Sequence, residues 1–283
     1  SSGRHKLAGG YASFSQLDVV MADGNGGYVA SRMDCEQLFN LADDRNMTSK
    51  AIDHLTIARP NFAGLNMVQS HLMGVLNVTP DSFSDGGQFN SIIKGKNHAF
   101  KLFKSGADLI DIGGESTRPG SKAIDDLEEW KRINKVINLL KKKFPLSLDT
   151  RKSNVMKKGI ELGVSLINDV SGLSYDNETL NILKKYKIPF VIQHSRGLPE
   201  NMQNNPKYKN VLLDIYDFFE DKLKLIRAKG INHNNIILDP GIGFGKNLKH
   251  NMKLIKNISI FHSLGYPILV GNSRKRFIKD ISG

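Results

Sequence analysis

From about residue 70 onward the chain alternates between two kinds of segment, and this alternation narrows its possible architectures more than any other feature. Short apolar runs lie at His71–Val78, Leu109–Gly113, Leu146–Asp149, Ser165–Asp169, Pro189–His194, Ile236–Asp239 and Ile268–Gly271. They have the length and the Val, Ile and Leu content of strands buried on both faces. The stretches between them carry helical spacing, as at Ile133, Val136, Ile137 and Leu140, or at Ile215, Phe219, Leu223 and Ile226. Gly106, Gly163, Gly230 and Gly265 stand where left-handed caps would close helices before the next strand. Alternating β and α segments imply a parallel sheet. Seven strands are visible, one fewer than a closed (β/α)8 TIM barrel needs. The expectation is an α/β barrel over residues 66–283 whose last helix–strand–helix is missing, preceded by a β-rich N-terminal extension at 1–65. In that extension Tyr11–Val20 and Gly27–Met33 flank a turn-rich stretch and predict a hairpin. Asp34–Asp44 reads as a short helix, and Thr56–Met67 as a linker or edge ribbon.

Composition removes several classes. No apolar run approaches the roughly 18–20 residues that span a bilayer. The single cysteine, Cys35, cannot form an internal disulfide. The first residues contain no apolar segment of signal-peptide length, so a cytoplasmic protein is expected. The formal charge of +12 suits anionic partners. The basic residues are spread along helix faces, however, and no nucleic-acid-binding motif is present, so small anionic metabolites are expected rather than nucleic acid or membrane.

The apolar runs end in polar side chains: Asn77, Asp111, Asp149, Asn168, His194, Asp239 and, after the last run, Lys275. In a parallel barrel all strand C-termini open on one face, which holds the active site. Any one of these residues could simply cap a helix; seven together point to a site. Asp149, Asn168, Asp239 and Lys275 suit a polar heterocycle with donors and acceptors. Thr117 and Arg118, in the Gly-rich loop after the second run, suit a phosphate. Asn77 with phosphate oxygens and water makes a Mg²⁺ site, because Mg²⁺ prefers oxygen and keeps its waters. His194 is open to two readings, an acid/base or a satisfied strand-end histidine. Neither a dinucleotide nor a Walker motif is found.

Six segments in order, GVLNVTPDSFSDGG (74–87), DIGGESTRPG (111–120), SLDT (147–150), IND (167–169), LDPGIGFGK (238–246) and GNSRK (271–275), closely resemble the dihydropteroate synthases of the pterin-binding barrel family. The resemblance covers about residues 68–280. It implies a transferase of folate biosynthesis, inhibited by sulfonamides, that condenses 6-hydroxymethyl-7,8-dihydropterin diphosphate with 4-aminobenzoate to give 7,8-dihydropteroate and pyrophosphate. It implies Mg²⁺ as cofactor and a homodimer. Carried onto this sequence, Asp149, Asn168, Asp239 and Lys275 match the pterin contacts, with Asp149, Asp239 and Lys275 as the catalytic set. Asn77 matches the metal-side ligand, and Thr117 and Arg118 match diphosphate and loop contacts. Phe83, Asp85 and Pro119 fall in the two loops that cover the aminobenzoate site.

Two departures stand out. The family's last strand supplies an Arg and a His to the diphosphate, and no such motif occurs in these 283 residues. The fifth run ends His194-Ser195, where the family more often has His-Met. Two other readings use the same barrel: a corrinoid-dependent methyltransferase domain, against which the two aminobenzoate loops argue, and a non-enzymatic pterin-binding fragment.

Overall fold

The computed structural model describes residues 5–22, 27–41, 45–79, 87–116, 121–196, 206–273 and 275. In the extension, β1 (His5–Lys6) pairs antiparallel with β2 (Ser13–Phe14), and β3 (Gln16–Ala22) with β4 (Tyr28–Asp34). Helices α1 (Cys35–Leu41) and α2 (Arg45–Thr56) follow. The second of these helices has no counterpart in the sequence reading.

The remaining elements alternate. They are β5 (Met73–Asn77), α3 (Gly87–Lys104), β6 (Leu109–Gly113), α4 (Asp126–Leu140), β7 (Leu146–Asp149), α5 (Ser153–Leu162), β8 (Leu166–Asp169), α6 (Thr179–Tyr186), β9 (Phe190–Gln193), α7 (Val211–Ala228), β10 (Ile236–Asp239) and α8 (Leu248–Lys256). The strands form one parallel sheet in chain order, β5 to β10. The seventh expected strand is reduced to one bridge, Ile268 against Leu238, fixed by Leu238 N–H donating to Pro267 O and Leu269 N–H to Leu238 O. Among the described residues no strand flanks the outer side of Ile268, so it forms no continuous ladder.

The two-residue period of the strands divides the apolar mass in two. Outward residues such as Leu76, Ile110, Ile112, Leu148, Ile167, Phe190, Ile192 and Leu238 pack beneath the helices in the main core. Inward residues Leu109, Leu166, Val191 and Ile237 form a smaller cluster with Leu65, against which Phe62, Met73 and Leu269 pack. That cluster is the floor of the arc. The runs look uniformly apolar in sequence because both strand faces are buried up to this level.

Helix ends follow local chemistry. The Asp125 carboxylate accepts from Glu128 N–H at 2.7 Å, and Asn247 caps α8 reciprocally with His250. Gly106, Gly163, Gly230 and Gly265 all have positive φ, as expected of helix-closing glycines. The extension docks at the floor end. There α2 packs on the 3-10 turn Ile258–Leu264, and the Arg59 guanidinium donates to the carbonyls of His54, Ile57 and His262. Among the described residues no helix is long and apolar enough to cross a membrane.

Candidate active site

A cavity of about 1850 Å³ runs inside the arc, and Asn77, Asp111, Asp149, Asn168, Gln193, Asp239 and Lys275 line it. Strand parity selects these side chains. Two residues above the inward floor residues Leu109, Leu166, Val191 and Ile237 stand Asp111, Asn168, Gln193 and Asp239, and inward polar groups replace apolar ones.

The first pair is internally braced. Asn168 Nδ2 donates to Asp111 Oδ2 at 2.9 Å, which leaves Asp111 Oδ1 and Asn168 Oδ1 buried without a partner. Burial raises the Asp111 carboxyl above its usual range. Asp149 is raised much further, by burial first and then by the negative charges of Asp111, Glu129, Glu115 and Asp169. Gly113, between them, bears no side chain. A methyl group there would lie 3.3 Å from Asp149 Oδ2 and 3.5 Å from Asn77 Oδ1, so the glycine lets these two groups face the same space.

The other wall is built by the 240–246 loop. Asp239 Oδ1 accepts from Gly241 N–H at 2.7 Å, and burial pushes its carboxyl up to about 6 against the pull of that bond and of Lys275. Gly241 has φ +68°, and a Cβ on it would collide with the His194 carbonyl oxygen, so only glycine fits. Lys246 closes the loop from beneath, with Nζ reaching Gly241 O and Phe244 O at 2.9 Å and His194 Nδ1 at 3.0 Å. Burial lowers its ammonium to about 7. The Lys275 chain crosses Gly243, and its Nζ lies 4.0 Å from the centre of the Phe244 ring. Burial lowers this ammonium too, opposed by Asp239 and Asp149.

His194 takes no part in the cavity. It meets Phe218 edge-on at 4.9 Å and is held by Lys246; burial, then the Lys246 charge, drive its imidazole down to about 2. Of its two readings the structure supports the satisfied strand-end histidine. The inward residue on this strand is its neighbour Gln193.

The loop after β6 rests on four charges that sequence reasoning missed. Arg151 Nε donates to Glu115 Oε2 at 2.9 Å, and Lys152 Nζ lies 2.5 Å from Glu129 Oε2 and 3.2 Å from Glu115 Oε1. Glu115 also accepts from Ile124 N–H, and Arg132 donates to Gly114 O. Burial pushes the Glu115 carboxyl up, but the Arg151 hydrogen bond and the adjacent cations outweigh it and hold the group below its usual range. The available signal was the Arg151-Lys152 pair just beyond Asp149. Thr117, Arg118 and Pro119, and Phe83 and Asp85, lie outside the described residues.

Among the described residues no three His, Cys, Asp or Glu side chains cluster as a metal-binding group. On the Asp149 side the cavity is faced by an amide oxygen, Asn77 Oδ1, across Gly113. That donor set suits a Mg²⁺ ion arriving with phosphate oxygens and water, not one caged by protein alone.

The family model "Pterin binding enzyme" matches residues 73–282. The chain is 42% identical over 212 residues to the dihydropteroate synthase of Clostridium beijerinckii, covering 74% of this chain and 76% of that one. It is 40% identical over 219 residues to the Escherichia coli K12 dihydropteroate synthase, covering 77% of each. Among solved structures, the Yersinia pestis dihydropteroate synthase with a sulfonamide drug superposes with a TM-score of 0.73 at 40% identity, over 78% of this chain and 82% of that one. The Xanthomonas albilineans dihydropteroate synthase in complex with 7,8-dihydropteroate does so at 0.70 and 34%, over 80% and 81%. The chain is thus a (β/α) barrel of the pterin-binding enzymes, and it belongs to the dihydropteroate synthase family.

Proposed function

We propose that this transferase joins 6-hydroxymethyl-7,8-dihydropterin diphosphate to 4-aminobenzoate, releasing pyrophosphate, and so is alkyl- or aryl-transferring. The observation that carries the reading is the ring of inward polar strand ends. Asp111, Asp149, Asn168 and Asp239 present acceptors, as an aminopterin rich in N–H groups requires. Lys275 supplies a cation beside Asp239.

The bond broken is C–O, between the pterin methylene and the diphosphate, and the pyrophosphate leaves with the electron pair. The aminobenzoate nitrogen forms the new bond to that carbon and loses one proton. Asp239 contributes fixed negative potential where positive charge grows on the methylene and the dihydropterin ring, and Asp149, whose carboxyl burial and its neighbours hold well above the usual range, adds to it as that positive charge draws its proton away. They do so at low local dielectric, where such a charge counts for most. Asn77 would hold Mg²⁺ at the diphosphate; when bound, the ion neutralises charge on the leaving group. Thr117 and Arg118 are assigned to the diphosphate, and Phe83, Asp85 and Pro119 to the aminobenzoate side. A cytoplasmic homodimer completes the reading.

The test is product formation. The purified chain with both substrates and Mg²⁺ should yield dihydropteroate and pyrophosphate in equal amounts, and excess EDTA should abolish turnover. Failure to bind a pterin would overturn the assignment, and full activity in EDTA would remove the role of Asn77.

A further inference from the structure

Gln193 is an inward polar strand residue of the cavity that nothing above assigns. It is the last residue of β9, paired in register with Asp239 on β10. Its parity is that of Val191, which lies in the floor cluster, while Phe190 and Ile192 face the helices. The side chain is 3% exposed and lines the cavity. Its Nε2 is buried and has no hydrogen-bond partner. The backbone beneath it is held by the β9–β10 ladder and by His194 N–H donating to Asp239 O at 2.8 Å.

A buried N–H without a partner is costly and uncommon in a folded protein, and sites that bind ligands are where such groups persist. The neighbouring orphaned atoms, Asp111 Oδ1 and Asn168 Oδ1, are acceptors. A heterocycle that satisfied them with its own N–H groups would still bring a ring carbonyl and ring nitrogens that need donors. Lys275 gives one such donor at the rim, and Gln193 gives a neutral one inside.

We propose that Gln193 is a specificity-determining contact, its carboxamide Nε2 donating a hydrogen bond to an acceptor atom of the bound pterin ring. This rests on the pterin reading above. A neutral acceptor position on the ring is thereby read by a neutral donor that no described protein group pairs. A β9 side chain of equal length without a donor would fill the same space and leave the ring acceptor unmet.

Titration calorimetry with 6-hydroxymethylpterin, alongside thermal melts of the empty protein, tests this. Gln193→Met keeps the length and removes the donor; Gln193→Glu keeps the shape and replaces the donor with an oxygen. The expected result is a loss of affinity of about three- to tenfold in the first and a larger loss in the second. The melting temperature of empty Gln193→Met should be unchanged or higher, because an unpaired buried donor has been removed. A lower melting temperature in Gln193→Met would show a structural role and overturn the proposal, as would wild-type affinity in both variants. If the unmodified chain does not bind the pterin at all, the pterin reading falls and this inference with it.

Discussion

Asp239 shows how a single side chain is set for function at the expense of stability. Burial raises its carboxyl to about 6, from 3.8, so the folded chain binds this proton more tightly than the unfolded chain does. Stability attributable to the group is therefore greatest below about pH 4, declines as pH rises through about 6, and stays low at neutrality. Asp239→Asn removes the buried charge while its side-chain oxygen can still accept from Gly241 N–H. The empty variant should be more stable at pH 7.5, by up to roughly 3 kcal/mol, yet bind pterin more weakly. In the unmodified protein, pterin affinity should fall as pH is lowered through about 6 and the carboxylate is lost. Melts and titrations of both proteins decide this. A variant that melts lower, or binds as well as the parent, contradicts the account. His194, held neutral far below this range, should contribute nothing to the affinity profile, although the unfolded chain's imidazole takes up a proton as pH drops through 6.5 and lowers stability there.

At the scale of elements, the Glu115, Glu129, Arg151 and Lys152 group ties three of them together: the loop after β6, helix α4, and the turn leading into α5. Thr117 and Arg118 follow Glu115 directly in the chain. Glu115→Gln would leave Arg151 and Lys152 sharing one carboxylate, and breaking a buried pair by removing one partner costs about 3–5 kcal/mol. The expected outcome is a lower melting temperature and a larger loss of affinity for pyrophosphate than for 6-hydroxymethylpterin, because three of the heterocycle's four acceptors, Asp149, Asn168 and Asp239, lie on other strands. Equal losses for both ligands would show that the group supports the whole barrel rather than this loop. Such a charge cluster is hard to read from sequence, since its members come from positions 115, 129, 151 and 152, and only the last two are adjacent. The strand ends were easier. Asn77, Asp149, Asn168 and Asp239 each follow an apolar run and each face the cavity. The fifth strand was misleading because Phe190, Val191 and Ile192 are all buried. A run apolar on both faces does not reveal its own parity, and only the pairing of Gln193 with Asp239 shows that Gln193, not His194, turns inward. Helix α2 escaped for a related reason. Ile52 and Leu55 are its buried apolar positions among those whose side chains are described, too few for a periodic signal.

For the molecule as a whole, the question is what the N-terminal extension contributes to a barrel whose chemistry lies at the opposite end. Its contacts are with the floor: Phe62 and Leu65 meet the inward apolar cluster, α2 lies on the Ile258–Leu264 turn, and Arg59 bridges the two. Arg59 is nearly buried, with three carbonyl oxygens around its guanidinium and no carboxylate partner among the described residues; burial lowers it to about 10, so it remains charged at neutral pH. His54 adds a ring-nitrogen contact to Ser263 O at 3.1 Å. Burial holds His262 and His233 below the usual imidazole value of 6.5, with the Arg59 charge adding to the effect. The unfolded chain therefore takes up protons near pH 6.5 that the folded junction refuses, and stability should fall as pH drops through that value. Arg59→Met keeps the aliphatic length and removes the clamp on all three carbonyls, at an expected cost of roughly 3 kcal/mol. If the extension serves only to seal the floor, this variant will melt earlier, and its melting temperature will fall less steeply with falling pH than the parent's, since the histidines remain buried but lose the Arg59 charge that helps hold them neutral. Its affinity for 6-hydroxymethylpterin, measured well below the melt, will be unchanged, because Asp149, Asn168 and Asp239 stand on strands whose outward faces are packed independently of residues 5–65. An affinity that falls together with the melting temperature would mean that the floor and the strand ends are one cooperative unit, and that the extension helps to shape the pterin site.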